Sequence, residues 1–92
     1  MQWVAADPAE LLWARFEAGA VLLHRPSGKT HFLNEASVIL LQGLAEAPAD
    51  KVAAASWLVP ESAQGPDLSL IDQVAAILHR FEQLGLVRRV PQ

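Results

Sequence analysis

The sequence predicts an α+β domain in which a three-stranded antiparallel meander at the N-terminal end precedes three helices. Three observations carry that expectation. Alternating side chains between Leu11 and Ala18 give way, after Gly19, to a Val- and Leu-rich run over Ala20 to Arg25. A Pro26-Ser27-Gly28 turn then sends the chain back along Lys29 to Leu33. Beyond Asn34 the apolar spacing changes from two to helical, the mark of passage from strand to helix.

Each element has its own local reason. In the first strand Leu12, Ala14 and Phe16 share one face, and Trp13, Arg15 and Glu17 the other. Pro26 presets a backbone angle and Gly28 tolerates positive φ, which is turn chemistry. Asn34 suits the N-cap of the first helix, with Glu35 against its positive end. That helix runs from about Glu35 to Ala47, with Ala36, Ile39, Leu40, Gly43, Leu44 and Ala47 on its apolar face. Val38 and Leu41 widen the face, so the helix should be mostly buried. Pro48 stops it and opens a short second helix, roughly Ala49 to Leu58.

Val59 to Asp67, with two Pro and one Gly, reads as an exposed loop. The third helix begins near Asp67 or Ser69, and Ser69 with Asp72 fits a capping box. It ends at Leu84, with Gly85 as a left-handed cap residue. Leu86 to Val90 either adds a short terminal strand or packs down, and Met1 to Ala9 forms an arm, mobile or docked.

Composition narrows the function. Ninety-two residues, 52% hydrophobic, make one small globular domain (residues 1–92) with little stability to spare. A net charge of −3 marks no general affinity for polyanions. The absence of cysteine excludes disulfides, thiolate metal sites, iron–sulfur clusters and Cys nucleophiles. The N-terminus lacks a basic start followed by an apolar core, so no signal peptide is expected. Glu46, Asp50 and Lys51 interrupt the apolar region from Val38 to Val59, so no membrane span is expected. A soluble cytoplasmic domain is the expectation.

The third helix carries the functional argument. Leu70, Val74, Ile77, Phe81 and Leu84 form a stripe of ordinary core width, and Ile71, Ala75 and Leu78 extend it to about half the circumference. Such a helix is either flanked on two sides or exposes an apolar shoulder. Lys29 to Leu33 is the last strand of the meander, so one edge should carry unpaired backbone groups to which an extended peptide can add. The competing expectation is that Leu86 to Val90 occupies that edge.

The ordered combination of Ser27-Gly28, Phe32-Leu33-Asn34 entering a helix with Ala36, Ile39 and Leu40, a short helix after Pro48, and a long helix closing on Phe81, Leu84, Gly85 and Leu86 resembles the PqqD-like family. These are the RiPP recognition elements, peptide chaperones of ribosomal peptide modification. The resemblance covers about Leu11 to Val90. Pro26-Ser27-Gly28, Thr30-His31 and Leu33-Asn34 look most like the subgroup associated with an HPr-kinase-related protein. The resemblance implies a winged-helix-like arrangement and no catalysis. It further implies a precursor (leader) peptide docked as an added strand between the third strand and third helix, for presentation to a separate modifying enzyme or an HPr-kinase-related partner. The candidate peptide contacts are then Lys29, Thr30, His31, Phe32, Leu33 and Asn34 with Ile71, Ala75, Leu78 and Glu82.

Several signals are set aside. Ser27-Gly28-Lys29-Thr30 imitates the end of a phosphate loop, but Leu23 stands where that motif needs Gly, and a strand follows rather than a helix. His24 and His31 can approach across the hairpin, yet no carboxylate is spaced to complete a metal site. The serines lack a base partner and the carboxylates form no acid–base pair, so no cofactor and no enzymatic activity are expected. Trp57 is expected in the core; Trp3 and Trp13 are expected at the boundary of a surface, where Trp favours contacts with partners, with Trp13 packed under the N-terminal arm as the preferred alternative. Two alternatives to the adaptor stand: a DNA-binding winged helix, for which the third helix offers only His79 and Arg80, and a homodimer formed through the apolar shoulder.

Overall fold

The turn at Pro26 to Gly28 organises the N-terminal half. In the computed structural model, which describes residues 1–60 and 62–91, Gly28 adopts φ +71°. Its amide donates to the carbonyls of His24 and Arg25. Around this turn β3 (Gly19–His24) pairs antiparallel with β4 (Lys29–Asn34), and β2 (Leu11–Phe16) lies on the other side of β3. The first strand is shorter than predicted, ending at Phe16, because Glu17 and Ala18 form the turn into β3.

The register sorts side chains into two faces. Trp13, Leu22 and His31 share one row, and Arg15, Ala20 and Leu33 the next. This face meets the core, where Ala20, Leu22 and Leu33 are buried. The opposite face carries Leu12, Phe16 and Phe32, all exposed. Gly19 is required by the close approach of β3 to β4, since a side chain there would run into the Leu33 carbonyl.

Three helices follow, each with a side-chain cap. Asn34 Oδ1 accepts from the Ser37 amide at 2.9 Å and opens α1 (Glu35–Glu46), as the sequence predicts. Asp50 caps α2 (Lys51–Ser56) through the Ala53 amide at 2.8 Å. Of the two predicted starts for α3 (Leu68–Gln83), Asp67 is the one used, its carboxylate accepting from the Leu70 amide at 2.8 Å. Ser69 lies within the first turn instead, where its hydroxyl accepts from Gln73 Nε2 at 3.4 Å. Gly85, at φ +79°, ends the helix as predicted.

The N-terminal arm is docked. Gln2–Ala5 forms β1, paired antiparallel with the terminal β5 (Val87–Val90) in a separate two-stranded sheet. On its other side Trp3 exchanges two backbone hydrogen bonds with Ala49, at 2.8 and 3.0 Å. A 3-10 turn over Pro8–Glu10, capped by Asp7, leads into β2. The terminal segment therefore pairs with β1 and leaves the outer edge of β4 unpaired among the described residues.

The core fills the space between the meander and the helices. Leu22, Leu40, Leu41, Leu44, Leu78 and Leu86 are fully buried, each contributing about 1.5–3 kcal/mol of transfer free energy. Trp57 departs from its predicted place. It follows α2, is 37% exposed, and lays its ring across Gly43 of α1. Among the described residues no helix is long and apolar enough to cross a membrane.

Candidate functional site

The site begins with what β4 leaves open. Its inner edge pairs with β3, and its outer edge has no strand partner among the described residues. Strand periodicity puts Lys29, His31 and Leu33 on the inner face and Thr30 and Phe32 on the outer one. Phe32 is 80% exposed. A large aromatic on an unpaired strand edge is a liability in a domain that meets no partner.

The α3 helix packs against α2 and β5. Its buried line is Val74, Leu78 and Phe81. At about 100° per residue, Leu70, Ile77, Leu84 and Arg80 lie to one side of that line, and Ile71, Ala75 and Glu82 to the other. Glu82 belongs to the β1–β5 side: its carboxylate accepts from Arg89 Nε at 2.8 Å and Trp3 Nε1 at 3.4 Å. Arg80 is exposed on the other side of the buried line, and its charge is among those that lower the His31 pKa.

One of the expected contacts is thereby corrected. Leu78, expected to line a groove, is 0% exposed and sits at the centre of the core. Glu82, expected to meet a peptide, is occupied in holding β1 and β5 to the helix. Ile71 and Ala75 share its flank. A helical wheel shows that the apolar arc is wide but not which part of the arc points inward. The other flank offers Ile77, partly buried, and Arg80, exposed.

The electrostatics of the cleft are one-sided. Burial lowers the His31 pKa below its usual 6.5, and the positive charges of His24, Lys29 and Arg80 lower it further. His31 Nε2 is buried with no hydrogen-bond partner among the described residues. The neighbouring His24 is satisfied, its Nδ1 lying 2.8 Å from Ser27 Oγ. Ser27 Oγ also accepts from the Lys29 amide at 3.2 Å, so the sequence that imitates a phosphate loop is a hairpin turn feeding a strand.

A shallow cavity of about 520 Å³ lies elsewhere, lined in part by Ala6, Asp7, Glu10, Gly85 and Arg88, and no β4 residue borders it. Strand addition needs an edge rather than a hollow, so the cavity does not mark the site. Among the described residues no three His, Asp or Glu side chains gather to hold a metal ion.

No protein-family model matches the chain, and no curated protein matches it. Among solved structures, lasso peptide synthetase B1 complexed with the leader peptide matches with a TM-score of 0.70, covering 95% of this chain and 98% of that one. The two chains share a fold. At 21% identity the likeness extends to architecture, and the side chains of the cleft must speak for themselves.

Proposed function

We propose that this domain is a non-catalytic peptide-binding adaptor of the PqqD-like, RiPP-recognition type. A precursor or leader segment adds as a further strand to the outer edge of β4, beside the α3 flank that carries Ile77 and Arg80. Backbone pairing along Lys29–Asn34 gives affinity, and side chains of the cleft select sequence. The observation that carries the reading is the unpaired β4 edge, with exposed Phe32, in a fold shared with a protein whose structure holds a leader peptide.

The adaptor would raise the effective concentration of its peptide at a separate modifying enzyme and leave the chemistry there. Membership of the subgroup associated with an HPr-kinase-related protein belongs to the same proposal and rests on the hairpin residues Pro26 to Asn34. An amide NMR titration with the leader segment of a peptide encoded beside this protein tests it. Shifts confined to β4 and the Ile77–Leu84 flank are expected. Unchanged spectra at high peptide excess would remove that peptide as the client, and shifts centred on Ile71, Ala75 and Glu82 would place binding on the other flank.

A further inference from the structure

We infer that the outer face of the meander is a self-association surface, on which a second copy of this chain packs sheet against sheet with Phe32 of each copy over Ala14 of the other. The inference goes beyond the peptide-binding reading and does not depend on it.

Strand pairing places Leu12, Leu23 and Thr30 in one outward row and Ala14, Val21 and Phe32 in the next. Phe16 extends the face at the end of β2. Leu12 and Phe16 are exposed, and so is Phe32, the most open of the three. The charged residues of these strands, Arg15 and Lys29, fall in the inward rows, so the outward face carries no charge. A chain of net charge −3 can therefore meet its copy here without bringing like charges together or burying an unpaired one.

The relief of the face selects a second copy over an unrelated surface. Val21 on the central strand stands between Ala14, the smallest side chain of the face, and the ring of Phe32. Knob and hollow thus lie one strand to either side of β3, each about 4.8 Å away. A two-fold axis between the copies, running along β3, carries each Phe32 over Ala14 of the other copy. It also sets Val21 against Val21 and Leu23 against Leu23. That is an isologous contact, in the aligned face-to-face arrangement of packed sheets. Three strands of six residues outline roughly 300 Å² at standard strand spacing and rise. Side-chain relief brings this within the range of about 300–600 Å² of a large surface patch. Two copies together approach the lower limit of about 1,000 Å² for a specific interface, so the dimer is weak and reversible. It leaves the β4 edge free. The α3 shoulder cannot serve instead, because Leu78 is fully buried.

Sedimentation equilibrium of the full chain, from micromolar to millimolar concentration, tests this with Phe32→Lys and Ala14→Glu, both at exposed positions. The average mass of the wild type should rise from monomer toward dimer. Each variant alone should weaken self-association about tenfold or more. An equimolar mixture of the two should recover most of it at low salt. There the new ammonium of one variant lies over the new carboxylate of the other, and one native Phe32–Ala14 contact remains. A wild type that stays monomeric at millimolar concentration would overturn the inference. So would variants that associate as the wild type does, or a mixture that associates no better than its components. Ala14→Glu lies on β2, away from the β4 edge, and should bind peptide like the wild type, so loss of the dimer and loss of the adaptor are read separately.

Discussion

Trp3 Nε1 donates to Glu82 Oε1 at 3.4 Å, joining residues 79 positions apart. With Arg89 on the same carboxylate, this contact ties β1, β5 and α3 into one unit. Trp3 is 6% exposed, so Trp3→Ala should cost about 3–5 kcal/mol, read from urea denaturation. A loss within 0.5 kcal/mol, roughly the level of surface substitutions, would mean that β1 is not part of the cooperative fold.

The same carboxylate gives an acid-side signature. The hydrogen bond from Arg89 lowers the Glu82 pKa below its usual 4.5, against burial, with Trp3 adding to the lowering. A depressed carboxylate stabilises the fold above its unfolded pKa, and that contribution is lost as pH falls through the folded value. Thermal melts should therefore show wild type losing its advantage over Glu82→Gln below pH 4.5. Parallel curves for the two proteins would show that the pair contributes nothing.

Gly43 decides between two opposed effects. Alanine in a helix interior gains about 1 kcal/mol over glycine, but a Cβ at this position collides with the Trp57 ring, and overpacking costs about 1–3 kcal/mol. Gly43→Ala should be net destabilising in the wild type and stabilising in a Trp57→Ala background. The same sign in both backgrounds would show that the ring is free to move aside.

Leu78 and Phe32 separate core from surface. Leu78→Ala should lose about 2–5 kcal/mol, whereas Phe32→Ser should stay within about 0.5 kcal/mol and weaken peptide binding. Isothermal titration of Phe32→Ser with wild-type affinity would take the outer face of β4 out of the site.

His31 couples stability to pH near neutrality. Its folded pKa lies below 6.5, so the unfolded chain takes up a proton first as pH falls, and stability declines below that value. His31→Leu should flatten this limb. It also removes a buried polar atom without a partner, worth about 1 kcal/mol or more, so the free domain should become more stable. Denaturation midpoints on both sides of pH 6.5 read the first effect, and unchanged pH dependence would show that His31 does not titrate with folding.

The meander, its turn, the caps at Asn34 and Gly85 and the three helices were legible because each is written locally: alternation, a positive-φ glycine, a helical period. The β1–β5 sheet was not. Gln2 finds Val90 across nearly the whole chain, and two four-residue strands carry no periodic signal long enough to separate them from loose termini. The inward line of α3 was hidden for a related reason. Ile71 and Leu78 look equivalent on a wheel, and only the packing of the core shows that Leu78 is fully buried.

The pairing of Gln2 with Val90 brings the two ends of the described fold side by side. A unit whose first and last strands run together can be spliced into a surface loop of a host protein without stretching either junction. The architecture is thus suited to being carried as a portable cassette within a larger chain.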